Sequence, residues 1–257
     1  MWIAALLLVA YAALVALIWF KQGSMIYPAP PVRGDTPPGF ERVSYPTADG
    51  LALNAGYRSA RDGMPTLLFF HGNGSDWQST ALVTERLAAQ GYGVLAAEYR
   101  GYAGNRGVPS ETGLYEDARG AWNWLLAQDV AAEDIVLVGN SIGSGVAVHL
   151  ATEVEPRALV LVSPFDSLEE TASRKLRWLP VRTLLRDRYD NASKLPGIAA
   201  PVLILHGEAD SLIGVDQARA LAAARPDTGI ETFSGWGHDL IVNEAVQDRI
   251  AAFLGAD

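Results

Sequence analysis

The stretch from Ile135 to Leu150 constrains this chain more than any other, because it must change from strand to helix within a few residues. Ile135-Val136-Leu137-Val138 is continuously apolar and β-branched or leucine, the pattern of a strand buried on both faces. Val146-Ala147-Val148-His149-Leu150 has the composition of a helix, and Gly139-Asn140-Ser141-Ile142-Gly143 joins the two. Side chains two positions either side of the serine would collide in so sharp a turn, and glycine removes the collision. The Ser141 hydroxyl is then left at the mouth of a sheet and at a helix N-terminus, where the dipole favours developing negative charge. Glycine makes up 25 of 257 residues, so a chance Gly-x-Ser-x-Gly is not rare. One placed between a buried strand and a helix is.

The surroundings supply the rest of such a sheet. Strands are expected at 66–70, 93–99, 158–162, 202–206 and 230–233, with helices at 77–90, 111–127, 215–224 and 240–254. Arg42-Val43-Ser44-Tyr45 and Leu51-Ala52-Leu53-Asn54-Ala55 read as an opening hairpin about Asp49-Gly50. This alternation predicts an α/β fold, a mostly parallel central sheet with helices on both faces. Residues 168–188 form an irregular helical stretch. Apolar residues at 49% and charged residues at 19% provide a substantial core. A net charge of −9 argues against a nucleic-acid partner. No cysteine is present, which removes thiolate nucleophiles, zinc-thiolate sites and disulfides.

Trp2 to Phe20 is uncharged and rich in Leu, Ala and Val. As a helix it rises about 28 Å, close to the hydrocarbon thickness of a bilayer. Trp2 and Trp19 lie near its ends, where aromatic rings favour the interface. A cleaved signal peptide would have a basic leader and a small-residue cleavage site, whereas the run begins without Lys or Arg and ends Leu17-Ile18-Trp19-Phe20. The expected organisation is therefore a transmembrane anchor over 1–21, a proline-rich linker over 22–40 and a catalytic domain over 41–257. Lys21 and Arg33 after the span lean toward a cytoplasmic domain.

In a parallel sheet, ligands bind at the carboxyl ends of the strands. A serine nucleophile needs a base there, and a carboxylate to hold that base in one tautomer. Of the four histidines, His71 and His206 end strands and His149 lies two turns into the elbow helix. His238, in Ser234-Gly235-Trp236-Gly237-His238-Asp239, is on a loop able to cross the strand ends and is the expected base. Asp210, four residues past His206, is the leading acid; Asp166 is the runner-up, and Asp216 and Asp239 are weaker. The oxyanion donors are expected at the Ile142 N–H and, from the turn Gly72-Asn73-Gly74, the Asn73 N–H. Tyr102, Trp77 and Trp236 are candidate substrate-pocket residues. Arg100 fits an internal ion pair better than an anion site.

His71-Gly72-Asn73-Gly74, Tyr99-Arg100-Gly101-Tyr102, Pro109-Ser110-Glu111-x-Gly113-Leu114, Gly139-Asn140-Ser141-Ile142-Gly143, His206-Gly207-Glu208-x-Asp210 and Gly237-His238 together resemble the α/β-hydrolase superfamily. The chain is similar in particular to membrane-anchored serine hydrolases with one N-terminal span and a short cap. That resemblance implies Ser141, Asp210 and His238 as the triad, and ester or thioester hydrolysis with neither cofactor nor metal. Ala103-Gly104-Asn105 departs from the Gly-x-Ser expected after the tyrosine, which bears on the shape of that loop.

The expected function is thus a membrane-bound serine hydrolase acting on a small-molecule or lipid acyl substrate. A serine peptidase, and a catalytically silent membrane scaffold, are the rival readings. The cap region, 168–196, gathers Arg174, Lys175, Arg177, Arg182, Arg186 and Arg188 near Trp178, Leu179 and Leu184. That cluster suits either anionic lipid headgroups or an ordinary solvated surface.

Overall fold

Strands apolar on both faces must be covered on both, and in this chain the connecting helices supply the cover. The computed structural model describes residues 2–255. Helix α1 (Trp2–Ile26) precedes an antiparallel hairpin, β1 (Glu41–Pro46) and β2 (Ala52–Arg58). The alternating part follows as β3 (Thr66–Phe70), α2 (Trp77–Val83), α3 (Glu85–Gln90), β4 (Gly93–Ala97), α4 (Glu111–Ala127), β5 (Ile135–Asn140) and α5 (Ile142–Ala151). Next come β6 (Ala158–Val162), three cap helices α6 (Leu168–Lys175), α7 (Val181–Leu184) and α8 (Asn191–Lys194), then β7 (Val202–Gly207), α9 (Val215–Ala224), β8 (Gly229–Phe233) and α10 (Glu244–Leu254).

The sheet has eight strands in the order β1-β2-β4-β3-β5-β6-β7-β8, parallel from β4 to β8. The antiparallel pair β1–β2 is joined to it at β4. This is an α/β-hydrolase fold. Every residue of β3, β4, β6 and β7 is buried. One core cluster lies under α4, α5 and α9, the other under α2, α3 and α10.

Three departures from the sequence expectation have local causes. The helix expected over 77–90 breaks at Thr84, whose hydroxyl donates to the Thr80 and Ala81 carbonyls and disturbs the ladder. The last helix begins only at Glu244, with the Asn243 side chain accepting from the Ala245 N–H; Leu240–Val242 form a separate 3-10 turn. Helix α1 continues through Gln22 to Ile26, into the segment expected to be linker. The prolines after it lie along the domain: the Pro28 carbonyl accepts from the Gly74 N–H at 3.1 Å, and Arg33 pairs with Asp76.

Candidate active site

The turn after β5 is as tight as its glycines imply. Ser141 sits at φ 52°, ψ −119°, a conformation that L-residues rarely adopt. A Cβ on Gly139 would lie 2.5 Å from the Gly143 carbonyl oxygen, and one on Gly143 would lie 2.1 Å from that of Phe70. The strain is held by packing on both sides: Ser141 N–H donates to the Val162 carbonyl, and its own carbonyl accepts from Ser144 N–H. Its hydroxyl makes no helix cap and is left free for the cleft.

His238 reaches that hydroxyl from beyond β8. Its Nε2 lies 2.9 Å from Ser141 Oγ, and its Nδ1 lies 2.7 Å from Asp210 Oδ2. A carboxylate only accepts, so Nδ1 carries the proton and Nε2 is free to accept from the serine. Asp210 is buried, and its Oδ1 accepts from Leu212 N–H at 2.8 Å and Ile213 N–H at 2.9 Å. Burial alone would raise its pKa. The bonds from His238, Ile213 and Leu212 outweigh burial and bring it below the ordinary aspartate value.

The other candidate carboxylates and the other histidines stand outside this line of hydrogen bonds. Asp166 accepts from Ser167 N–H and faces Arg174. Asp216 pairs with Arg174, and Asp239 is exposed at the cleft wall. His149 stacks on Tyr115 at 3.5 Å. His206 is fully buried; its Nε2 donates to the Ile213 carbonyl, bracing the Asp210 loop from behind. Burial lowers its pKa, which keeps it neutral.

His71 and Glu98 form a buried pair that sequence reasoning did not connect. His71 Nε2 lies 2.7 Å from Glu98 Oε1, and its Nδ1 is 2.8 Å from the Gly72 carbonyl. The second Glu98 oxygen accepts from the Trp77 N–H. Burial would lower the His71 pKa, but the Glu98 carboxylate and the Gly72 carbonyl raise it above the ordinary histidine value. Tyr99 OH donates to the His71 carbonyl, so the turn carrying Asn73 is fixed from three directions. One signal was in the sequence: Glu98 is the lone charge at the end of an apolar strand.

A cleft of about 320 Å³ lies over Ser141, walled by Gly72, Asn73, Asn140, Leu212, His238 and Val242 among others. Asn73 therefore borders the cleft. Ile142, as the first residue of α5, has an N–H without an intrahelical partner. The expected pocket residues are placed differently. Trp77 is buried with its ring against Gly56, where a Cβ would come within 2.2 Å of it, so it packs behind the sheet. Tyr102 is buried against His71 and Tyr99, in the core below the turn that carries Asn73. Trp236 is exposed, and its carbonyl, not its ring, is engaged, accepting from Ala209 N–H. None of the three lines the cleft. Leu212, Ile241, Val242 and Val83 do, as apolar residues of loops and of a helix end that sequence pattern alone did not mark.

Arg100 is buried between Asp117 and Asp49, an internal ion pair. In the departing loop, Ala103 takes φ 47° and Asn105 clasps β2, its Oδ1 accepting from Asn54 N–H and its Nδ2 donating to the Asn54 carbonyl. The unusual residues thus build a loop anchored by side-chain amides.

An eight-stranded α/β sheet with a strained serine between β5 and α5 defines a hydrolase-type fold, and the chain belongs to the α/β-hydrolase superfamily. A family model described as Hydrolase_4, serine aminopeptidase S33, matches residues 64–190. An uncharacterized protein of Mycobacterium tuberculosis is 38% identical over 267 residues, covering 97% of this chain and 95% of its own. Human alpha/beta hydrolase domain-containing protein 17B is 32% identical over 158 residues, 61% of this chain and 54% of that protein. Among solved structures, an esterase of Pyrococcus furiosus superposes with a TM-score of 0.70 at 22% identity, covering 88% of this chain and 96% of its own. That likeness concerns the fold.

Proposed function

We propose that the chain is a serine hydrolase that cleaves carboxylic ester or thioester bonds of acyl or lipid-like substrates and is held at a membrane by α1. The observation that carries this reading is the continuous line of hydrogen bonds from Asp210 Oδ2 through both nitrogens of His238 to Ser141 Oγ. In the proposed reaction Ser141 Oγ attacks the acyl carbon and its proton passes to His238 Nε2. Asp210 stabilises the resulting imidazolium. The N–H groups of Ile142 and Asn73 receive the oxyanion, a contribution of about 3 kcal/mol for each such donor. His238 then returns the proton to the leaving oxygen or sulfur, and a water activated by the same imidazole releases the acyl group from Ser141.

The apolar wall of Leu212, Ile241, Val242 and Val83 favours an acyl chain over a charged group. The α1 helix, long and apolar enough to cross a bilayer, favours lipid-linked substrates. An aminopeptidase reading has one observation in its favour: Asp239, a carboxylate at the cleft wall, could meet a substrate ammonium. Labelling by a fluorophosphonate probe, compared between wild type and Ser141→Ala, tests the mechanism. Label is expected on wild type alone, and label that survives the substitution refutes Ser141 as nucleophile. A chain-length series of p-nitrophenyl esters run beside aminoacyl amides separates the two substrate readings.

A further inference from the structure

Helix α1 does not stand clear of the domain. Its second half lies along the cap. Gln22 is buried there, donating to the Leu184 carbonyl and accepting from the Arg186 N–H. The Arg186 guanidinium lies 5.0 Å from the centre of the Trp19 ring, and Tyr11 OH donates to the Trp178 carbonyl. The less exposed positions Val15, Ile18, Gln22 and Ile26 recur every three or four residues, one stripe of a helix. An apolar pocket of about 100 Å³ separates that stripe from Leu176, Leu179 and Leu185. On its other sides α1 exposes Leu14, Leu17 and Phe20.

Length makes this arrangement incompatible with a cap in water. From Trp2 to Ala10, short of the first cap contact, the helix rises only about 14 Å. That is under half of the ~30 Å hydrocarbon layer. Filling the layer requires lipid up to Phe20, which the exposed outer leucines require in any case. Between Tyr11 and Phe20 that lipid meets the cap as well.

The cap has the chemistry for it. Leu176 to Leu185 is mostly apolar, and Trp178, half exposed, adds a large apolar surface at the level of Tyr11. The cations in and beside it differ in their partners, Lys175 donating to the Ser211 carbonyl. Arg174, Arg182 and Arg188 are paired with Glu169, Glu170 or Asp216. Arg177, Arg186 and Lys21 have no carboxylate partner among the described residues, and their long stems let the charge rise to the surface.

We propose that cap residues 176–186 are seated in the leaflet in which α1 ends, with Trp178 beside Tyr11 in the acyl layer and with Arg186 and Lys21, level with Trp19 and Phe20, on the phosphates of anionic lipids. The inference rests on the reading of α1 as a membrane segment. It adds that the domain is held on the bilayer by its cap, not suspended from a tether. It also sets the cleft at the lipid surface: Lys175 Nζ donates to the Ser211 carbonyl, one residue before Leu212 of the cleft wall. Lipid-linked acyl groups would then enter from the side.

The absence of native cysteine permits a clean test. Single-cysteine variants of the full chain, Trp178→Cys and Thr183→Cys in the cap, Leu7→Cys in α1 and Ala252→Cys on the far face, carry an NBD fluorophore. Each is reconstituted in phosphatidylcholine–phosphatidylglycerol vesicles containing lipids spin-labelled at the top and at the middle of the acyl chain. The positions 7, 178 and 183 are expected to lose most of their emission to the quencher, and 252 to keep it. Quenching at 7 with full emission at both cap positions overturns the seated cap and leaves the anchor standing. Full emission at all four positions overturns the anchor and the seated cap together. Hydrolysis of a soluble ester by each labelled variant shows that the domain is folded.

Discussion

Replacing Asp210 by Asn and by Ala separates its two tasks, because its two oxygens do different work. Oδ1 accepts from Leu212 and Ile213 N–H, and Oδ2 accepts from His238 Nδ1. An asparagine keeps the loop by placing its carbonyl where Oδ1 lies. Its NH₂ then faces the ring, and two donors cannot meet. His238 must move its proton to Nε2, the atom that accepts from Ser141. The expected loss in kcat is about 10⁴-fold, or about 5 kcal/mol of transition-state stabilisation, with the fold intact. Alanine loses the same activity and also the loop. Ile213 is buried whereas Leu212 is half exposed, so one donor is stranded, not two. That costs about 2 kcal/mol, and a melting temperature lower by about 6 °C in a chain of this length. Ester hydrolysis and thermal denaturation of both variants provide the measurements. Activity of Asp210→Asn within tenfold of wild type would show that the carboxylate does not set the tautomer. Equal melting temperatures for the two variants would show that Oδ1 does not hold the loop.

Ser141→Gly should be more stable than Ser141→Ala, because glycine relieves the strain at φ 52°. Relief of about 2 kcal/mol less about 1 kcal/mol for the freer unfolded chain leaves a rise of about 3 °C, read by calorimetry on two equally inactive proteins. The raised pKa of His71 makes its pairing with Glu98 stabilising below the ordinary histidine value near 6.5, and that stability is lost as pH rises through the folded value. Melting temperatures measured from pH 6 to pH 9 should therefore fall more steeply in wild type than in Glu98→Gln, and parallel slopes would refute the linkage.

The sheet and the strand ends were legible because they follow from local rules. Continuous apolar runs mark β3 to β7, and Gly139 is demanded by a contact within five residues of Ser141, although the need for Gly143 comes from the Phe70 carbonyl of the neighbouring strand. Ser141, Asp210 and His238 were legible for the same reason: each follows a strand. The cleft wall was not. Leu212, Ile241 and Val242 sit in a loop and a 3-10 turn where no period operates, so nothing distinguishes them from core residues until the chain is folded. Aromatic size misled in the opposite direction. Trp77 and Tyr102 are large enough to be drawn into the core wherever a strand end leaves room, and both are fully buried. The basic cap was legible as a cluster of charge, whereas its division into paired and unpaired cations depends on Glu169 and Glu170 of α6 meeting Arg182 and Arg188, and on Asp216 of α9 reaching Arg174.

How His238 crosses the sheet leads to one more test. It leaves β8 and must reach β5, passing the ends of β7 and β6, three strand spacings or about 14 Å. The loop is fastened at each step. Over β7, Glu208 and Ala209 N–H donate to the Phe233 and Trp236 carbonyls, and Gly207 permits the approach, since a Cβ there would lie 2.4 Å from the Trp236 oxygen. Over β6, Ser163 Oγ donates to the His238 carbonyl at 3.1 Å. Asp210 can turn the ring but cannot set how far the backbone travels; Ser163 supplies that stop. Ser163→Ala should therefore lower kcat about tenfold with KM unchanged, the signature of a nucleophile–base distance lengthened by a fraction of an ångström. Stability should fall by only about 1 kcal/mol, the value of one hydrogen bond. Cysteine, whose thiol is a poor donor, should resemble alanine. Full kcat in Ser163→Ala would mean that the fastening over β7 alone carries the loop to Ser141.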